Sequence, residues 1–142
     1  MLAESREPLL LDTCAVIWID GDEPLSAAAT EAMNLAFAGG QAAYVSPITA
    51  WEIGMLVARG RLSLPFRPQV WFQQVLELPG VRLAEMSPEV LILSSFLPGR
   101  PPRDPADRII AATAREYGYR LVTRDGLLLS YAEEGHIQAI AC

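Results

Sequence analysis

Residues 9–19 read LLLDTCAVIWI: three leucines, an aspartate, a threonine, and then a second apolar run. Leu9-Leu10-Leu11 is short, continuous and apolar, with no alternation of polar positions. That is the pattern of a strand buried on both faces. The run ends on Asp12, which closes the strand. Strands covered on both sides belong to parallel sheets, so the rest of the chain should supply the covering helices.

The flanking sequence supplies them. Residues 25–38, LSAAATEAMNLAFA, are Ala-rich and stop at Gly39-Gly40, which predicts a helix with its stop signal. Ala43-Tyr44-Val45 is a second strand. Ser46-Pro47 then sets a capping hydroxyl before a proline at the first helical position, opening a helix that runs to about Arg59-Gly60. Pro65 and Pro68 interrupt the chain before a helix over 69–78, and Pro79-Gly80 turns into a strand over 81–85. Ser87-Pro88 repeats the capping pattern and opens a helix to Leu97. Residues 98–103, PGRPPR, form a loop. Asp104-Pro105 opens a helix that Gly118 closes; Leu121-Val122-Thr123 is the fourth strand, 126–134 a short helix and 137–141 the last strand. Helices alternating with apolar strands indicate a three-layer α/β/α fold around a central parallel sheet of four to five strands. No repeat or long linker divides the sequence, so one domain over 1–142 is expected.

Composition narrows the chemistry. Half the residues are hydrophobic, ample for one core. The formal net charge is -6. Residues 59–124 nevertheless hold ten Arg against six acids, and the chain has no Lys. Arg forks match phosphate oxygens, although a solvated surface is the simpler reading of charge alone. Without Lys there is no P-loop, and no Gly-x-Ser-x-Gly elbow is present. The one histidine, His136, falls near the C-terminus and reads as a loop residue. Cys14 and Cys142 have no metal-ligand spacing and suit a reduced, cytoplasmic setting. The N-terminal MLAESREP lacks a secretory pattern, and no apolar run is long enough to span a bilayer.

The acids have a pattern of their own. Ligands of open parallel sheets bind at the carboxyl ends of the strands. Asp12 ends the first strand, and Asp125 lies just past the fourth. Asp107 falls in a first helical turn, three residues after the capping position Asp104. Glu52 lies on a helical stripe with Ile48, Met55, Leu56 and Arg59, beside Trp51, which is expected in the core. Singly, each acid has an ordinary role: a turn, a cap, a dipole-favoured first-turn acid, or an ion pair of Glu52 with Arg108. Together they put four carboxylates at one edge of one sheet. Clustered carboxylates repel, and a hard divalent cation relieves them.

Four blocks, LLLDTCAVIWI at 9–19, VSPITAWEIGMLVARGRLSLP at 45–65, RDPADRIIAATA at 103–114 and LVTRD at 121–125, resemble the PIN-domain family. Within it the likeness is to the VapC-like ribonuclease toxins of type II toxin–antitoxin pairs, and it covers almost the whole chain. It implies that Asp12, Glu52, Asp107 and Asp125 bind Mg²⁺ or Mn²⁺ and hydrolyse RNA phosphodiester bonds. It places the hydroxyls of Thr13, Ser46 and Thr123 beside the pocket, for water or phosphate. Asp104 matches a frequent acid of this group. Arg103, Arg108 and Arg124 flank the acids as candidate phosphate contacts, and the 98–102 loop bears on access. The resemblance further implies a small VapB-like antitoxin and a homodimer; the apolar face around Trp18, Trp51 and Met55 is the candidate groove for the antitoxin. A non-catalytic RNA-binding or assembly module, and a nuclease acting on DNA, stand as alternatives.

Overall fold

The computed structural model describes residues 8–21 and 23–142, so all but Pro8 of the N-terminal segment read above for a secretory signal lies outside the described residues. Five strands form one sheet: β1 (Leu9–Leu11), β2 (Ala43–Val45), β3 (Val81–Leu83), β4 (Arg120–Thr123) and β5 (Gln138–Ala141). The helices are α1 (Thr13–Asp20), α2 (Ala27–Ala38), α3 (Pro47–Ala58), α4 (Pro68–Leu76), α5 (Pro88–Leu93), α6 (Pro105–Tyr117) and α7 (Gly126–Glu133). Strand order is β3-β2-β1-β4-β5, and every pairing is parallel.

The three leucines explain the layers. Leu9 and Leu11 point into one core with Ala15 and Val16 of α1, Ala29 and Ala36 of α2, and Trp71 of α4. Leu10 points into the other, with Ile110, Ala111 and Ala114 of α6 and Leu128 and Tyr131 of α7. Alternate side chains of a strand face opposite ways, so a strand between two cores must be apolar throughout.

The chain leaves β1 toward β2 and β3, then returns to add β4 and β5 on the other side. The β1–β4 junction is therefore the switch point where open α/β sheets bind ligands. Leu10 pairs with Leu121 across it.

Several elements differ from expectation. The sequence predicts no helix directly after β1, yet α1 begins at once. Asp12 is its N-cap rather than a turn residue, accepting a hydrogen bond from the Thr13 N–H. Helix α4 starts on Pro68, whose missing N–H costs nothing at a first helical position. Helix α5 ends at Leu93 rather than Leu97: Ser94 turns its hydroxyl back onto the Leu91 carbonyl at 2.6 Å, which competes with helix continuation. Trp51 is not in the core but 57% exposed. Helix α3 instead buries Thr49 and Ile53, one residue round from the expected stripe. Among the described residues no helix is long and apolar enough to cross a membrane.

One loop is held with unusual closeness. Gly99 (φ 68°) lies against the imidazole of His136, and the Tyr131 hydroxyl donates to the Pro98 carbonyl. Gly40 also has positive φ (78°) but faces open space. Both Gly→Ala variants incur about 1–2 kcal/mol of left-handed strain. Gly99→Ala adds a clash with His136, so its urea midpoint should fall clearly below that of Gly40→Ala. Equal midpoints would show that the loop yields freely.

Candidate active site

Because every strand runs the same way, the helices that follow them start at the same edge of the sheet. Helices α1, α3 and α7 begin there on Asp12, Ser46 and Asp125, at the ends of β1, β2 and β4. Helix α6 begins on Asp104. Their N-terminal N–H groups favour negative charge, which makes room for acids at this edge.

Asp12 is buried at the centre. The Thr13 N–H donates to its Oδ1 at 2.7 Å, and the Thr123 hydroxyl donates to its Oδ2 at 2.6 Å. The Cys14 thiol adds a weak contact to Oδ2 at 3.5 Å. Thr123 also accepts from the Asp125 N–H at 3.0 Å, tying the two acids through one hydroxyl. Asp125 accepts from Leu127 N–H at 2.8 Å in capping α7. On the other side, Thr13 Oγ1 donates to Glu52 Oε1 at 2.5 Å and lies 3.0 Å from Thr49 Oγ1. Asp104 caps α6 through the Asp107 N–H at 3.0 Å, and the Asp107 carboxyl is half-buried within hydrogen-bonding reach of Asp125.

The electrostatics bind the acids into one unit. Burial pushes the Asp107 carboxyl up to about 8, helped by the charges of Asp125, Asp12 and Asp104 and by its hydrogen bond to Asp125. Burial raises Asp12 as well, against the opposing hydrogen bonds from Thr123, Thr13 and Cys14, and Asp125 raises it further. Glu52 is raised by burial, opposed by Thr13, and repelled by Asp12, Asp104 and Asp125. Asp12, Glu52 and Asp107 are each held above their ordinary range partly by neighbouring charge, so the protonation of one depends on the others.

The remaining residues divide. The Arg108 guanidinium does not pair with Glu52: it donates to the Ser94 carbonyl at 2.9 Å and the Pro102 carbonyl at 3.2 Å, fastening the loop. Arg124 donates to the Cys142 carbonyl at 3.0 Å, and its guanidinium lies 3.3 Å from the centroid of the Trp18 ring. Arg103 is exposed on the loop beside the Asp104 cap. The Ser46 hydroxyl accepts from the Ile48 N–H, and those of Thr13 and Thr123 are committed to acids, so all three serve the protein's own groups. A cavity of about 670 Å³ lies elsewhere, along β5 and α7 by Arg120, Glu133 and Gln138. Thr49 was absent from the expected site; its place three residues before Glu52, one turn away on the same helix, was the available signal.

Among the described residues no three His, Cys, Asp or Glu side chains stand in an arrangement that closes on one ion. Glu52 is turned onto Thr13, and Asp125 onto the first turn of its own helix. The donor set itself is four carboxylates that repel one another, hard oxygen ligands of the kind that suit Mg²⁺ or Mn²⁺. By that chemistry the residues fit a divalent cation.

Comparison with known proteins bears on the family and the fold. The model of the PIN domain family matches residues 9–134. Ribonuclease VapC22 of Mycobacterium tuberculosis (strain ATCC 25618 / H37Rv) is 36% identical over 124 residues, 87% of this chain and 91% of that protein. A chain from the crystal structure of VapBC2 from Rickettsia felis, bound to a DNA fragment from their promoter, superposes with a TM-score of 0.62 at 15% identity, covering 94% of this chain and 97% of that one. A chain of FitAB bound to the IR36 DNA fragment gives 0.53 at 19% identity, over 94% of each chain. At these identities the two structures speak for the fold.

Proposed function

The chain belongs to the PIN domain family, in its VapC-like branch, and on that premise we propose that it is a metal-dependent endoribonuclease, the toxin of a type II toxin–antitoxin pair. The observation that carries this reading is the acid cluster at the β1–β4 switch point, with Asp12, Glu52 and Asp107 each raised partly by the charge of their neighbours. Likeness to a ribonuclease over most of the chain supports the choice of substrate.

In this reading Asp12 and Asp107 would hold Mg²⁺ or Mn²⁺, and Glu52 and Asp125 would serve as further ligands, directly, through water, or at a second ion. When bound, the cation supplies neutralising charge at the scissile phosphate and acidifies water. The present donors engage Oε1 of Glu52 and Oδ1 of Asp125, so each carboxylate keeps a second oxygen for ligation. Thr13 N–H and Thr123 fix the orientation of Asp12. Glu52 or Asp125 would take a proton from water as its oxygen bonds to phosphorus; the P–O3′ bond breaks and the 3′-oxygen takes a proton from solvent, giving a 5′-phosphate and a 3′-hydroxyl. Arg103, exposed on its loop, is the candidate phosphate contact.

The likeness to VapBC2 and FitAB chains supports a small VapB-like antitoxin as partner, and the chain is read as a cytoplasmic homodimer. Trp51, exposed on α3 beside Glu52, is the anchor proposed for the antitoxin. Trp51→Ala should leave the melting temperature within about 2 °C, since little is unburied, while co-purification with a small protein encoded beside this chain falls sharply. Retention at wild-type level would move the antitoxin elsewhere.

The function is tested by incubating purified protein with matched RNA and DNA hairpins in Mg²⁺ or Mn²⁺. RNA should be cut, DNA spared, and excess chelator should stop cleavage. Cleavage that survives chelator would overturn the mechanism, and cleavage of DNA alone would overturn the substrate.

A further inference from the structure

Thr49 lies fully buried on α3, three residues before Glu52. Its Oγ1 is 3.0 Å from Thr13 Oγ1, and Thr13 Oγ1 in turn donates to Glu52 Oε1. A threonine hydroxyl has one proton. Thr13 gives its proton to Glu52, so in the Thr13–Thr49 contact Thr13 accepts and Thr49 donates. The three groups form a directed chain: Thr49 to Thr13 to the Glu52 carboxylate. It bridges α3 and α1, while Glu52 itself sits on α3. The chain therefore closes a loop that ties the glutamate to the helix capped by Asp12.

A buried helical threonine has a simpler option, which this protein also shows. Thr113, equally buried on α6, donates to the Ile109 carbonyl four residues back at 2.7 Å. The Thr49 hydroxyl reaches across to another helix instead.

We infer that Thr49 is a positioning residue for Glu52, acting through Thr13 and touching neither substrate nor cation. This rests on the proposed function only in taking Glu52 as part of the working site. By holding the Thr13 hydroxyl as a donor, Thr49 limits the carboxylate to one orientation against Asp12. Loss of a ligand's direct hydrogen-bond partner commonly changes affinity or activity by about 10–100-fold, and Thr49, one bond further out, belongs at the low end of that range.

The test compares Thr49→Val, Thr49→Ser and Thr49→Ala. Three readouts serve: RNA cleavage in Mn²⁺, Mn²⁺ affinity by calorimetry, and the melting temperature. Thr49→Val, which keeps the volume and loses the hydroxyl, should lower kcat and Mn²⁺ affinity by about tenfold or more while KM for RNA stays within about twofold. Thr49→Ser, which keeps the hydroxyl, should restore both to within about threefold of wild type. If Thr49→Val does not fold, Ser against Ala makes the same comparison. Wild-type kcat and Mn²⁺ affinity in Thr49→Val would overturn the inference. So would equal losses in Ser and Ala, which would assign the effect to packing. If the wild type cuts no RNA, the proposed function fails; Mn²⁺ affinity across the three variants still decides the role of Thr49.

Discussion

Asp107→Asn is expected to abolish RNA cleavage and, in the same protein, to raise the melting temperature of the metal-free form at pH 8. The two effects share one cause. The Asp107 carboxyl is pushed from its ordinary 3.8 up to about 8, first by burial and then by Asp125 and Asp12. A folded-state value raised above the unfolded one means that the fold favours the protonated acid. The stability so linked is fully present below the ordinary value and is lost as pH rises through about 8. Metal-free wild type should therefore lose melting temperature between pH 5.5 and 8.5. Asparagine carries no charge to repel, so the variant, left with the raised Asp12 and Glu52, should lose less, and the gap should widen with pH. Mn²⁺ should reverse the order, because a ligand that binds the folded state stabilises it by mass action and the variant lacks a ligand. Cleavage should fall on the order of 10³-fold, the scale of several kcal/mol of lost charge stabilisation. Thermal unfolding with chelator and with Mn²⁺ at both pH values, alongside a cleavage assay, reads every part of this. A variant less stable than wild type at pH 8 without metal, or one that cleaves within tenfold, contradicts it.

Trp71→Ala is expected to cost about 3–5 kcal/mol, the range for deleting a large buried aromatic. Against a total of about 5–15 kcal/mol for a domain of this kind, that leaves little margin. Trp71 is 1% exposed on α4, packed in the core beneath β1, and its indole N–H donates to Asp20 Oδ2 at 2.6 Å. The variant loses the packing and also leaves Asp20 without its donor at the end of α1. Trp71→Phe restores most of the volume but not the hydrogen bond, and should fall between. Trp51→Ala, on the exposed tryptophan, is the internal control. Urea unfolding of the three should rank them Trp51→Ala, Trp71→Phe, Trp71→Ala in falling midpoint. A Trp71→Ala midpoint close to that of Trp51→Ala would mean that the core around α4 closes over the vacancy.

The two tryptophans also show where sequence is a good guide and where it is not. The strands were legible because a parallel strand between two cores must be apolar at every position, as 9–11 is. Three helix starts were legible from a polar cap followed by proline. Helix α1 was not, because TCAVIWID has no polar face to betray its period, and Asp12 reads equally well as a turn. Helix α3 was recognised as a helix, but its inward face was set one residue off. Once Thr49 and Ile53 turn inward, Trp51 is left on the surface. The gathering of the acids followed from topology, since parallel strands deliver their carboxyl ends to one edge. The hydrogen-bond chain through Thr49, and the engagement of Arg108 with loop carbonyls, depend on side-chain direction. Composition and spacing do not encode that directly.

The hydrogen bond from Thr123 to Asp12 spans 111 residues of chain. Between its ends come three helix–strand crossovers and the 98–103 loop, and β1 cannot pair with β4 until all of that has been made. Contacts so distant in sequence form slowly, because the loop they close must be ordered first. The first half of the chain carries Asp12 and Glu52 but neither Asp107 nor Asp125. A chain still being synthesised, or one cut within the 98–103 loop and separated, therefore holds half an acid cluster. Whatever the cluster does begins only when the last third of the protein has arrived, so the long reach of β1 acts as a check on completeness.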